Sequence, residues 1–195
     1  VEKKKNILSI YFTAGFPNLE DTAIILKDLV RSGVDMIEIG MPFSDPLADG
    51  PVIQHSSEVS LDNGMGMNKL FDQLNKADLK NSSSVFLLMG YLNPVLQFGV
   101  EAFCKKAGEL GISGVIIPDL PMDEYQSEYK PDFEKYGLKN IFLITPQTSE
   151  KRIRVIDDNS DGFIYMVSSS STTGVQNGVD TEKEKYFRRI KEMKL

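Results

Sequence analysis

One cysteine, one histidine and no long apolar run set the first limits on this chain. Cys104 stands alone, so no internal disulfide can hold the fold. His55, the sole histidine, is a poor basis for metal-dependent chemistry, which needs several well-placed ligands. It lies in a helical stretch and reads as a surface residue. No apolar run approaches the roughly 18 residues of a membrane-spanning helix. After the basic start Val1-Glu2-Lys3-Lys4-Lys5-Asn6, the apolar run covers only Ile7 to Phe12. That is too short for a signal-peptide core, and no small-residue cleavage site follows. Positive charge is in deficit as well. The 22 Lys and Arg face 28 Asp and Glu, and a net charge of −6 disfavours a nucleic-acid or anionic membrane surface. The expectation is a cytoplasmic protein. Its 195 residues, 41% hydrophobic and 26% charged, suit one soluble domain, 1–195.

What is present is alternation. Strand patterns occur at Ile7–Phe12, Asp35–Ile39, Ser84–Met89, Gly114–Ile117, Asn140–Ile144 and Gly162–Val167. Most are short, apolar on both faces and rich in Ile, Val or Phe, as in a parallel sheet covered on each side. Helical patterns lie between them. One opens at Asn18 and stops at Gly33; others span Gly99–Leu110, Met122–Tyr136, Ser149–Asp158 and Thr181–Met193. Pro131 predicts a kink or restart in the third of these. The connection from 41 to 83 is unusually long. It holds helical stretches near Val52–Leu61 and Met67–Ala77, with Pro51 suited to a first turn.

Strict β-α alternation leaves two architectures, a (β/α)8 TIM barrel or an open doubly wound sheet. The turn after the first strand, Thr13-Ala14-Gly15-Phe16-Pro17, has no Gly-x-Gly-x-x-Gly, which disfavours a dinucleotide fold. Acids at or near strand C-termini, Glu38 and Asp119, favour a barrel with its site on that rim. A complete barrel has eight strands in about 250 residues. The chain supplies six βα units, so the last two are expected to be missing.

The run Met36-Ile37-Glu38-Ile39-Gly40 places a carboxylate in an apolar strand. Alternation puts Met36 and Glu38 on one face and Ile37 and Ile39 on the other. A buried carboxylate is costly unless paired or neutralised, which suits it to proton exchange and equally to a structural pairing. Two further acids, Asp45 and Asp49, follow in the Pro- and Gly-punctuated loop Met41-Pro42-Phe43-Ser44-Asp45-Pro46-Leu47-Ala48-Asp49-Gly50-Pro51. Each alone could be a turn former. Together with Glu38 they read as a proton-transfer site. No strand ends in lysine, so a Schiff-base aldolase is disfavoured. What remains is acid–base chemistry by carboxylates, with neither metal nor cofactor.

The string from Glu38-Ile39-Gly40 through Pro42-Phe43-Ser44-Asp45-Pro46-Leu47-Ala48-Asp49-Gly50-Pro51 closely resembles the alpha subunit of tryptophan synthase. Tyr91-Leu92-Asn93-Pro94, Pro118-Asp119-Leu120-Pro121 and Thr173-Gly174 extend the resemblance over nearly the whole chain, about the first three quarters of the family's length. The resemblance implies a lyase that cleaves indole-3-glycerol phosphate, and a beta-subunit partner in an alpha2-beta2 complex. It implies Glu38 as the acid–base residue and Asp49 as the acceptor for the indole ring nitrogen. Tyr165 would lie beside the substrate, Thr173 would help close the site, and the Gly174 amide would meet the phosphate. Asp119 would orient its neighbours. Asp45, Pro46, Asn93 and Pro94 would face the partner. Phe12, Met89 and Ile144 are expected to wall the indole pocket. The loop after the sixth strand, Ser168 to Gly174, reads as a flexible linker by composition and as a mobile lid by position; it departs from the family pattern, with Ser169 where Arg is usual and Ser171 where Gly is usual.

Overall fold

The computed structural model describes residues 6–168 and 181–195. Strands β1 (Ser9–Thr13), β2 (Met36–Gly40), β3 (Val85–Met89), β4 (Gly114–Ile116) and β5 (Lys139–Asn140) form one sheet in that order. Every pairing is parallel. A second parallel pair joins β6 (Leu143–Ile144) to β7 (Tyr165–Met166). The single strand expected over Asn140–Ile144 is therefore two, and the hydrogen bonds give the reason. The Ile141 N–H still donates to Val115 O at 2.8 Å, whereas Phe142 O already accepts from Tyr165 N at 2.8 Å. The wall changes neighbour within two residues and so continues from β4 to β7.

Helices α1 (Asp21–Arg31), α2 (Pro51–Asp62), α3 (Met67–Ala77), α4 (Leu92–Phe98) and α5 (Val100–Leu110) cover the first strands. Helix α1 begins later than Asn18 because that residue closes a turn, its Nδ2 donating to Asp21 Oδ2 at 2.8 Å. Helix α4 was not legible, since Asn93-Pro94 resembles a turn. Pro94 is tolerated there because first-turn N–H groups have no helical partner. The helix expected over Met122–Tyr136 is broken. A short α6 (Met122–Glu124) passes through a π-helical turn, Tyr125–Tyr129, into α7 (Lys130–Lys135). Pro131 offers no N–H to the preceding turn, and the wider π turn absorbs that gap.

Ser149 caps α8 (Glu150–Asp158), its hydroxyl accepting the Arg152 N–H at 3.3 Å. Helix α9 (Thr181–Met193) docks beside β6, where the Tyr186 hydroxyl donates to Ile144 O at 3.2 Å. The main core lies between sheet and helices. Ile37, Ile39, Phe86, Leu88 and Val115 meet Leu26, Leu70, Leu74, Phe103 and Phe133 there. Burial of each such side chain contributes about 2 kcal/mol. Within the described residues no helix is long and apolar enough to cross a membrane.

Candidate active site

Parallel register decides which side chains share the inner face of the wall. Tyr11 pairs with Glu38, and Glu38 with Leu87; Thr13 pairs with Gly40, and Gly40 with Met89. Leu87 and Met89 pair in turn with Gly114 and Ile116. A separate apolar cluster fills this face, built on Leu87, Ile116 and Ile141 with Met36, Met89, Leu143 and Tyr165 against it. Glu38 is the carboxylate set among them, only 5% exposed.

The Ser9 hydroxyl donates to Glu38 Oε1 at 2.6 Å. Two tyrosines flank the same acid. Burial pushes the Tyr11 phenol up to about 12; the Thr13 hydroxyl opposes this, and the charges of Asp49 and Glu38 add to it. The Tyr165 phenol is likewise raised, first by burial and then by Glu38. Both phenols therefore stay protonated at neutral pH. The hydroxyl end of Tyr11 also packs against Gly40, where any Cβ would collide with its hydroxyl and ring. Gly40 is required by that close approach, because only a bare Cα leaves room for the ring.

The loop after β2 leads into α2, with Gly50 as its N-cap and Pro51 in its first turn. It is tied back at two points. Met41 N donates to Met89 O at 2.7 Å, and Ala48 N donates to the Tyr91 hydroxyl at 2.9 Å. These ties bring Asp49 over the inner face, where it shares a small cleft with Tyr11, Met41, Ser57, Met89 and Tyr91. Partial burial raises the Asp49 carboxyl above its ordinary value, while a hydrogen bond from Tyr91 opposes the rise. Tyr91 itself is pushed up to about 12, chiefly by burial.

Asp119, exposed beyond β4, does not enter the cleft. Its Oδ1 accepts the Leu92 N–H at 3.0 Å and so caps the first turn of α4. Asp45 is exposed and accepts a hydrogen bond from the Ser44 hydroxyl. It lines, with Phe43, Met67, Asn93, Pro94 and Phe98, a groove of about 450 Å³ between the loop and α4. Pro46 lies in the same loop, outside the groove lining. His55 is exposed on α2, as expected, with the Phe16 ring edge-on at 6.5 Å. Among the described residues no group of three or more His, Cys, Asp or Glu could hold a metal ion.

Two expected pocket residues are displaced. Phe12 and Ile144 belong to the core between sheet and helices, and Ile144 is fully buried there. Alternation places their neighbours, Tyr11 and Leu143, on the inner face instead. Met89 and Tyr165 are on that face. Ser9, Tyr11, Tyr91 and Leu143 were missed by sequence reasoning. Counting alternate residues outward from Glu38 through the parallel register finds Tyr11 and Ser9. Thr173 and Gly174, with the rest of the expected lid from Ser169, lie outside the described residues.

A parallel wall flanked by helices, with Glu38 buried on its inner face and Asp49 held in a cleft over that face, fits the class of (β/α)-barrel enzymes. The family model described as tryptophan synthase alpha chain matches residues 1–195, and the chain belongs to that family. It is 60% identical to the tryptophan synthase alpha chain of Flavobacterium johnsoniae over 196 aligned positions, covering 100% of this chain and 77% of the relative. Identity to the Phocaeicola vulgatus alpha chain is 54%, covering 99% of this chain and 74% of that one. Among solved structures, a tryptophan synthase complex from Pyrococcus furiosus superposes with a TM-score of 0.85 at 34% identity. That match covers 97% of this chain and 75% of the other. The Legionella pneumophila alpha chain gives a TM-score of 0.83 at 34% identity, over 97% and 68%.

Proposed function

We propose that the chain carries out the alpha reaction of tryptophan synthase, the retro-aldol cleavage of indole-3-glycerol phosphate to indole and glyceraldehyde 3-phosphate. The observation that carries this reading is a buried acid, Glu38, on the inner face, with a second acid, Asp49, held over the same face by Tyr91. In the reaction, the indole carbon bearing the side chain takes up a proton. The bond to the glycerol carbon then breaks, and the hydroxyl on that carbon loses its proton to become the aldehyde. One proton is gained and one lost, so a single carboxyl can serve both transfers. Glu38 is assigned that role. Asp49 accepts the ring N–H and stabilises the positive charge that develops on the indole as its carbon is protonated.

Met89 and Tyr165 wall the aromatic part of the substrate, with Tyr11 and Leu143 in the places first given to Phe12 and Ile144. Thr173 and Gly174 are assigned to site closure and to the phosphate on the sequence match alone. Asp119 orients α4 rather than reacting. The beta subunit docks on the face carrying Asp45, Pro46, Asn93 and Pro94. The shared groove of Asp45, Asn93 and Pro94 supports that placement.

Glu38→Gln tests the acid. Indole formation should be lost while the variant still folds, binds substrate and stimulates a beta subunit. Near-normal turnover would overturn the assignment. Asp49→Ala should also be severely impaired. Asp49→Asn keeps an acceptor oxygen but not the charge, so it separates the two contributions.

A further inference from the structure

Glu38 is a long side chain with several rotatable bonds, standing on an inner face that is otherwise mostly apolar. A carboxyl that moves protons must present one oxygen in a fixed direction; its apolar neighbours give it no directional hold, and of the flanking phenols Tyr11 is paired with the Thr13 hydroxyl at 3.3 Å. The structure supplies one such hold through the 2.6 Å hydrogen bond from the Ser9 hydroxyl to Oε1. Ser9 reaches it from the adjacent strand. In the β1–β2 register Ser9 pairs with Met36, one inward-facing position before the Tyr11–Glu38 pair. The carboxyl is therefore engaged from the N-terminal side of the wall, opposite to the rim where Asp49 sits.

We infer that Ser9 is a positioning residue for the reaction: its hydroxyl fixes Glu38 through Oε1 and leaves Oε2 to exchange the proton with substrate. This rests on the reading of Glu38 as the acid–base residue. The contact is short and charge-assisted when the carboxyl is ionised, the stronger kind of hydrogen bond. Its loss leaves a buried carboxyl free to sample rotamers that do not face the substrate. Ser9 touches neither the proposed substrate position nor Asp49, so its removal affects turnover and not substrate affinity.

The test is a set of Ser9 variants made in the full polypeptide assembled with a beta subunit, with indole formation as the readout. Ser9→Ala and Ser9→Val should lower kcat about tenfold, the equivalent of one lost hydrogen bond of this kind. KM should stay within about twofold, and Ser9→Thr, which restores the hydroxyl, should recover most of the rate. Wild-type kcat in Ser9→Ala, or equal losses in Ser9→Val and Ser9→Thr, would overturn the inference while leaving Glu38 as the acid. Activity retained in Glu38→Gln itself would instead overturn the reading beneath it.

Discussion

The Tyr91 hydroxyl accepts the Ala48 N–H at 2.9 Å and lies beside Asp49, whose carboxyl pKa it lowers, so one phenol both anchors the acidic loop and tunes the acid it carries. Tyr91→Phe removes both contacts without changing the ring that packs against Phe43 at 5.3 Å. The expected loss of stability is about 1–2 kcal/mol, read as a lower denaturation midpoint. The Tyr91 hydrogen bond lowers the Asp49 pKa, so without it the carboxyl holds its proton to higher pH. The acid limb of kcat/KM should therefore move upward in pH. An unmoved profile would separate Tyr91 from Asp49.

Asp49 carries a further prediction about stability. Burial holds its carboxyl above the ordinary 3.8, so the folded chain keeps a proton that the unfolded chain has already released. Stability therefore falls as pH rises through the interval between the ordinary and the raised value. Asp49→Asn removes this cost. The variant should melt higher than the parent near neutral pH, and the gap should close as pH drops below the ordinary carboxylate range. Thermal melts of both proteins across that range check it. A gap that widens on acidification would contradict the buried, raised carboxyl.

Gly40 and Tyr11 should behave as one unit. Gly40→Ala drives a Cβ into the Tyr11 ring and should cost about 1–3 kcal/mol by overpacking. Adding Tyr11→Ala clears the ring, so the double variant should be more stable than the sum of the two losses. Additive losses in a denaturation series would show that the ring can move aside.

Cys104 is fully buried in the core, and burial pushes its thiol up to about 12. The thiolate is the reactive form, so a disulfide reagent at neutral pH should label the folded protein very slowly. Labelling should become fast and stoichiometric only in denaturant. Rapid labelling of the native protein would show that α5 opens from the sheet.

The sequence made the wall legible because its strands are apolar on both faces and bounded by glycine and proline. The acids were legible for a related reason, since Glu38 stands out in an apolar strand. Three features were hidden. Helix α4 was concealed by Pro94, which argues against a helix everywhere except in a first turn. The division of the fifth strand depends on which neighbour each peptide meets, and that is a property of the whole wall. Phe12 and Ile144 were chosen for being apolar, yet on a strand buried on both sides apolarity does not say which face a residue takes. Alternation from Glu38 does, and it selects Tyr11, a polar-tipped ring, together with the small hydroxyl of Ser9.

The Asp119 contact to Leu92 and the Tyr91 contact to Ala48 run between successive connections at the same end of the wall. The segment after β4 grips the one after β3, which grips the one after β2. The three are linked like successive links of a bracelet, and they cannot drift independently in sequence or in length. Transplanting the Asp49 segment alone into another barrel would leave behind the tyrosine that holds it. The three segments form the smallest unit that could be moved with the site's shape intact, and homologous chains should exchange them together or not at all.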